Sequence, residues 1–162
     1  MLRRLIVLAL LAAAAALGGN AVLGAQDGAG GSATALVERV VDGDTIVLRG
    51  GERVRYIGVD TPESVKPGTP VQCFAKAAGH ENERLVEGQR ITLAYDAERR
   101  DRYGRTLAYV RRERDGLFVN AELVRRGYAR TLTIPPNVAH AAEFRRLAQA
   151  ARRAGRGLWG RC

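Results

Sequence analysis

Four carboxylates and an arginine, Asp42, Asp44, Asp60, Glu63 and Arg55, fall in one short run, VVDGDTIVLRGGERVRYIGVDTPE, at positions 40–63. The acids stand at two chain reversals, DGD and DTPE. A hard divalent cation takes several oxygen ligands at ~2.3–2.6 Å, and two bends brought side by side can supply them. Asp-Gly is also ordinary turn chemistry, so DGDT alone reads equally well as a plain bend. Four acids and a guanidinium across two neighbouring strand ends make the ligand reading the stronger one. A further arginine, Arg105, closes the run Asp101-Arg102-Tyr103-Gly104-Arg105. Alone, that run reads as a tight turn at Gly104. Beside the acidic corner it adds a second guanidinium. Two guanidiniums, a cation and a free carboxylate are the working parts of metal-assisted phosphodiester hydrolysis.

The elements that must position these groups are short. A first strand is expected at 33–41, a second at 45–48 and a third at 53–59, with Gly50-Gly51 as the hairpin turn between the last two. Thr61-Pro62 stops the third, because proline cannot donate to a ladder. Side chains alternate along a strand, so Arg55 and Asp60 should face opposite ways. They can meet only if the strand bends or bulges between them, and Gly58 is the place for it. The following SVKPGTPVQ is a loop whose position beside the acids suits a lid.

Further along, a helix is expected at 73–87 with Gly88 as its C-cap, a strand at 90–95, a charged turn, a strand at 106–110 and a polar loop at 111–116. Asn120 is expected to cap a short helix ended by Gly127. Positions 131–137 should be extended by their prolines. A last helix is expected from about Asn137 to Ala154, burying Ala141, Phe144, Leu147, Ala148 and Ala151, with Leu158-Trp159 packing back on the core. The pattern gives an α+β fold, mostly antiparallel. A helix between the third and fourth strands fits a small OB-type five-stranded β-barrel.

The chain's 162 residues suit one ordinary domain. Its start, MLRRLIVLALLAAAAALGGNAVLGA, has a positive n-region, an apolar h-region and small residues up to Ala25. This is the pattern of a secretory signal peptide at 1–25, followed by a flexible leader at 26–32 and the domain at 33–162. An uncleaved anchor is the alternative, but the apolar run is short against a span of ~20 residues. The expected location is secreted or periplasmic, with no membrane attachment after cleavage. Formal net charge is +9, most of the surplus being arginine. Arginine's planar fork fits phosphate, so a polyanion, nucleic acid above all, is the natural partner. A basic surface kept only for solubility is the bland alternative. Cys73 and Cys162 are the two cysteines, and in an oxidising compartment they suggest one disulfide. His80 and His140 are too few and too far apart for a zinc site.

The runs VVDGDTIVL, RYIGVDTPE, DRYGR, FVNAELVRRGYA, PPN and GLW, in that order and spacing, resemble the thermonuclease (staphylococcal nuclease) family over positions 33–159. The resemblance implies an OB-type β-barrel with three helices and calcium-dependent cleavage of DNA and RNA, with one Ca2+ ion and products ending in 3′-phosphate. It implies Asp44 and Asp60 as carboxylate ligands and Thr61 as a carbonyl ligand, with Asp42 behind them. Glu63 would activate or orient the attacking water, and Arg55 and Arg105 would grip the phosphate. Tyr103, kept beside Arg105, is expected to contact substrate. A monomer without a stable protein partner is expected.

This chain departs from that pattern in places. Two tyrosines of the family's nucleotide pocket fall on Leu132 and Ile134, which lose the hydroxyl and the aromatic face. Ala75 and Ala77 replace the usual glycine and acid of the first helix, a matter of packing. Two other readings stand beside the enzyme: a catalytically weak nucleic-acid-binding OB module, and a structural domain using its basic face for acidic polysaccharide. Such modules typically lose the acids or arginines, and here every such position is filled.

Overall fold

A computed structural model of the chain describes residues 31–64 and 67–162. The expected signal peptide, and the leader up to residue 30, lie outside the described residues. The first strand, β1 (Ser32–Asp42), starts one residue before the expected domain boundary. Its first half pairs antiparallel with β5 (Arg90–Ala94), and its second half with β2 (Thr45–Leu48). Register shifts between Val37 and Arg39 and between Val40 and Asp42 bend β1, so that one strand serves two neighbours.

β3 (Arg53–Tyr56) returns antiparallel to β2 across the expected Gly50-Gly51 turn. It then lies parallel to β6 (Thr106–Arg112), and the antiparallel β5–β6 pair closes a barrel in the order β1-β2-β3-β6-β5. The single parallel pair arises because α1 (Ala75–Val86) and β5 carry the chain between β3 and β6, and parallel neighbours need such a crossover. Val37, Ile46, Val54, Tyr56, Ile91, Leu93, Ala108 and Val110 fill the barrel. The remaining elements are β4 (Val59–Asp60), which pairs with β7 (Arg130–Thr131), and α2 (Val119–Arg125), α3 (Ala141–Arg153) and a single turn, α4 (Leu158–Arg161). The barrel and three longer helices are the OB-type α+β fold expected.

Three expectations about polar residues need correction. Positions 111 and 112 continue β6 instead of looping, because Arg112 is satisfied where it is buried. Its guanidinium donates to Asp115 at 3.0 and 2.6 Å and to the Leu85 carbonyl at 2.9 Å. Asn120 is not a cap: Phe118 holds that position without a side-chain bond. Asn120 is fully buried instead. Its Oδ1 accepts the Val110 N–H at 2.9 Å and its Nδ2 donates to the Ile57 carbonyl at 2.9 Å, pinning α2 to the barrel. Asn137 does not open α3, which begins at Ala141. Its amide exchanges two 2.8 Å bonds with the Glu98 backbone.

Cys73 and Cys162 form a disulfide with Cα atoms 5.9 Å apart, tying the last residue to the segment before α1. Leu158 is buried, as expected. Among the described residues, no helix is long and apolar enough to cross a membrane.

Candidate active site

The DGD turn between β1 and β2 is built by its own side chains. Asp42 Oδ1 accepts the Asp44 backbone N–H at 3.0 Å. That turn pushes the Asp44 carboxylate inward, where only 5% of the residue is exposed. Burial of a carboxylate requires donors, and Asp44 has four. Oδ2 accepts the Thr61 N–H at 2.7 Å and the Thr61 hydroxyl at 2.9 Å. Oδ1 lies 3.2 Å from the Thr45 hydroxyl and 3.1 Å from Arg55 Nη1. The two acidic bends are therefore in direct contact through Asp44 and Thr61. Gly43 permits that contact: an alanine Cβ there would fall 2.7 Å from three atoms of the Thr61 side chain.

The alternation problem between Arg55 and Asp60 is resolved where expected. The chain reverses after Tyr56, with Gly58 at φ +80, a backbone conformation that side-chain-bearing residues rarely adopt. A Cβ on Gly58 would also lie 2.5 Å from Phe144 Cε2, so α3 presses on the reversal from outside. Arg55 wraps this turn. Nη1 donates to the Tyr56 and Val59 carbonyls at 3.2 and 2.9 Å, and Nη2 reaches Asp60 Oδ1 at 3.1 Å. One guanidinium thus joins Asp44 to Asp60.

A cavity of about 550 Å³ opens on this arrangement, lined by Asp42, Asp44, Asp60, Glu63, Arg55 and Arg105 among others. All the acids of the sequence motif and both arginines meet there. Glu63 is held through its backbone: its N–H donates to Gln72 Oε1 and its carbonyl accepts the Gln72 N–H, both at 2.9 Å. Arg105 is aimed by Asp101, which accepts from its Nε at 2.7 Å and from its backbone N–H at 3.0 Å. Its Nη groups make no hydrogen bond among the described residues. Tyr103, exposed at the rim, lies under the Arg102 and Arg105 guanidiniums at 4.8 and 5.4 Å. A second cavity of about 470 Å³ shares Arg55, Tyr103 and Arg105 and runs to Leu132 and Ile134, both exposed apolar residues.

The electrostatics show an excess of negative charge. Burial, then repulsion from Asp44, pushes Asp42 up to about 6. Burial, then Asp44, also raises Asp60, against the pull of Arg55. Three carboxylates crowd one guanidinium, and an oxygen-binding dication would relieve that repulsion. Among the described residues, no three His, Cys, Asp or Glu side chains converge as a ready metal cage. Asp44 and Asp60 would be the protein carboxylates, with backbone, water or substrate oxygens completing the shell. Hard oxygen donors fit calcium or a similar ion.

One positioning residue escapes the sequence motifs, and one motif residue has a further role. Asn82 on α1 is fully buried; its Oδ1 accepts from the Tyr56 hydroxyl and its Nδ2 donates to the Asp42 carbonyl, both at 2.9 Å. Its signal was an asparagine on the buried stripe with Ala75, Ala78 and Leu85. The motif residue is Thr61, expected only for its carbonyl: its hydroxyl also donates to Asp44.

The chain matches the model of the family described as Staphylococcal nuclease homologue over residues 53–161, a span that begins after Asp42 and Asp44. It is 53% identical over 105 residues to a protein named Thermonuclease from Staphylococcus intermedius, covering 63% of this chain and 61% of that one. It is 40% identical over 126 residues to the Thermonuclease of Staphylococcus hyicus, covering 76% and 73%. With Endonuclease YncB of Bacillus subtilis (strain 168) it shares 39% over 128 residues, 76% of this chain and 60% of the relative. The chain thus spans about three fifths of two of these relatives and nearly three quarters of the third. With about two thirds of its own length matched by the family's model and the barrel and acidic corner in place, this chain belongs to the staphylococcal nuclease homologue family.

Proposed function

We propose that the protein is a divalent-metal-dependent nuclease that hydrolyses phosphodiester bonds of DNA and RNA, with calcium as its cation. The observation that carries this reading is the meeting of Asp44 and Asp60 around Arg55 in one cavity that Arg105 and Glu63 also line. The relatives' names, thermonuclease and endonuclease, point the same way. A cation held by Asp44, Asp60 and the Thr61 carbonyl would polarise a phosphoryl oxygen.

The protein's own groups do the rest. Glu63, at the cavity edge, orients the attacking water and takes its proton. The water oxygen bonds to phosphorus as the bond to the 5′-oxygen breaks; the departing oxygen takes a proton from solvent to become a 5′-hydroxyl, and a 3′-phosphate is left. Arg105, which spends its Nε and not its Nη groups on Asp101, meets the charge that builds on phosphorus-bound oxygens. Arg55 is only 13% exposed and already binds two carboxylates and two carbonyls, so its main work is holding the acids together, with phosphate contact secondary. The exported location stays part of this proposal; the Cys73–Cys162 bond supports it, since such bonds persist in oxidising compartments.

The test is hydrolysis of single-stranded DNA by the purified chain across metals, with Glu63→Gln alongside. Calcium should support cleavage and a chelator should stop it. Glu63→Gln should lower turnover by about 10²–10⁴-fold, the range for a positioned general base, with strand binding retained. Full turnover in chelator, or an unaffected Glu63→Gln, overturns the reading. Binding without any cleavage would make the chain a binding module.

A further inference from the structure

Part of the protein's basic surface is paired. Arg84 and Arg126 bind Glu81, Arg90 binds Glu113, Arg112 binds Asp115 and Arg125 binds Glu122. Three arginines on the far side of β7 are not: Arg130, Arg145 and Arg152 form no ion pair among the described residues. They line one cavity of about 270 Å³ together with Trp159. The Arg130 and Arg152 guanidiniums each lie 5.6 Å from the indole centroid. Each cation gains modestly from that ring, but gathering three like charges around one small cavity is unfavourable without an anion.

The place of this cavity says which anion. Arg130 stands directly opposite Asp60 in the β4–β7 register, and its charge acts on the Asp60 carboxylate. Arg130 therefore belongs to both places, facing Asp60 and lining the Trp159 cavity. A polyanion lying on the corner would reach the cavity with its next charged groups, whereas a small anion would have no reason to be placed there. The cavity offers guanidinium forks for phosphate oxygens and an aromatic surface, the pairing that serves single-stranded nucleic acid.

The geometry points to a second strand-binding site, in which Arg130, Arg145 and Arg152 around Trp159 hold the phosphodiester backbone of a single strand beside the scissile bond. The inference rests on the nuclease reading for the strand's path, but it can be tested without cleavage. Trp159 is the chain's sole tryptophan and reports directly on the site.

The experiment titrates the mature protein, in chelator, with single-stranded DNA about 16 nucleotides long, the upper reach of one OB fold. Trp159 emission and the anisotropy of end-labelled DNA are followed over a range of salt. Arg145→Gln/Arg152→Gln is compared with the charge-matched Arg146→Gln/Arg153→Gln, which lies on the same helix but not on the cavity. The first pair should lower the slope of log K against log salt by about 1.4, at about 0.7 for each of two lost phosphate contacts. The control pair should lower it by less than half as much. Should the first pair not fold, each single variant should remove about half the slope change.

Equal losses in the two pairs, or binding that leaves Trp159 emission unchanged, would overturn the second site. Hydrolysis by the unmodified chain is read separately. If it cleaves while the two pairs behave alike, this inference falls and the nuclease reading stands. If it binds with the expected slope difference but never cleaves, the reverse holds.

Discussion

Replacing Gly43 by alanine tests whether contact between the two acidic bends is what builds the site. Gly43 is not in the left-handed region, so alanine brings no backbone strain of its own. The whole effect must come from its Cβ, which would sit 2.7 Å from Cβ, Cγ2 and Oγ1 of Thr61. Carbon atoms settle at ~3.5–4.0 Å, so the turn and Thr61 must part by about 1 Å. Thr61 is 8% exposed and bonded twice to Asp44, so it has no easy retreat. Overpacking of this kind costs about 1–3 kcal/mol of stability. The same displacement at a reacting centre costs about 10²-fold in rate. Denaturant midpoints at unchanged slope read the first quantity, and initial rates on single-stranded DNA read the second. Thr61→Gly removes all three contacted atoms, so in the Gly43→Ala background it should recover part of the loss, a coupling expected for residues in contact. Wild-type stability and rate in Gly43→Ala, or strictly additive losses in the double variant, would refute the reasoning.

Two other outcomes follow from the polar interior. Asn120→Leu leaves the Val110 N–H and the Ile57 carbonyl without their partner, at about 1–3 kcal/mol for each orphaned group, and urea unfolding should show the sum. Asp101 gives a pH signature. Partial burial would raise its pKa, but the bonds from the Arg105 side chain, the Arg105 N–H and the Tyr103 N–H hold it below its ordinary 3.8. A depressed folded value means that its stabilisation is complete above the ordinary value and is lost as pH falls through the lowered one. The stability gap between the native chain and Asp101→Asn should therefore be steady from neutral pH down to the ordinary value and shrink below it, measured by denaturant midpoints. A gap that widens on acidification would contradict the assignment.

Much of the site was legible in the chain because its residues are local. DGD, Arg55 and DTPE lie within one hairpin and its exit, and short-range turn chemistry constrains them whatever surrounds them. Gly58 was readable as the break between Arg55 and Asp60, since alternation forbids their meeting otherwise. The charged turn that aims Arg105 is likewise local, closing through Asp101 four residues away. The misreadings share one cause. Asn120, Asn137 and Arg112 are polar, and polarity in sequence reads as cap, helix start or loop. Each is buried here and makes a hydrogen bond to a partner distant in the chain: Asn120 to Ile57, Asn137 to Glu98, Arg112 to Leu85.

By itself, then, the sequence determined the acids, the arginines, the strands that carry them and the place of the reversal, because turn sterics and side-chain alternation act over a few residues. Only the tertiary structure decided that Thr61 locks onto Asp44, that Asn82 reaches from α1 to Asp42, and that Arg130, Arg145 and Arg152 share one cavity with Trp159. Those outcomes depend on which surfaces the closing barrel presses together, and no short-range preference encodes that.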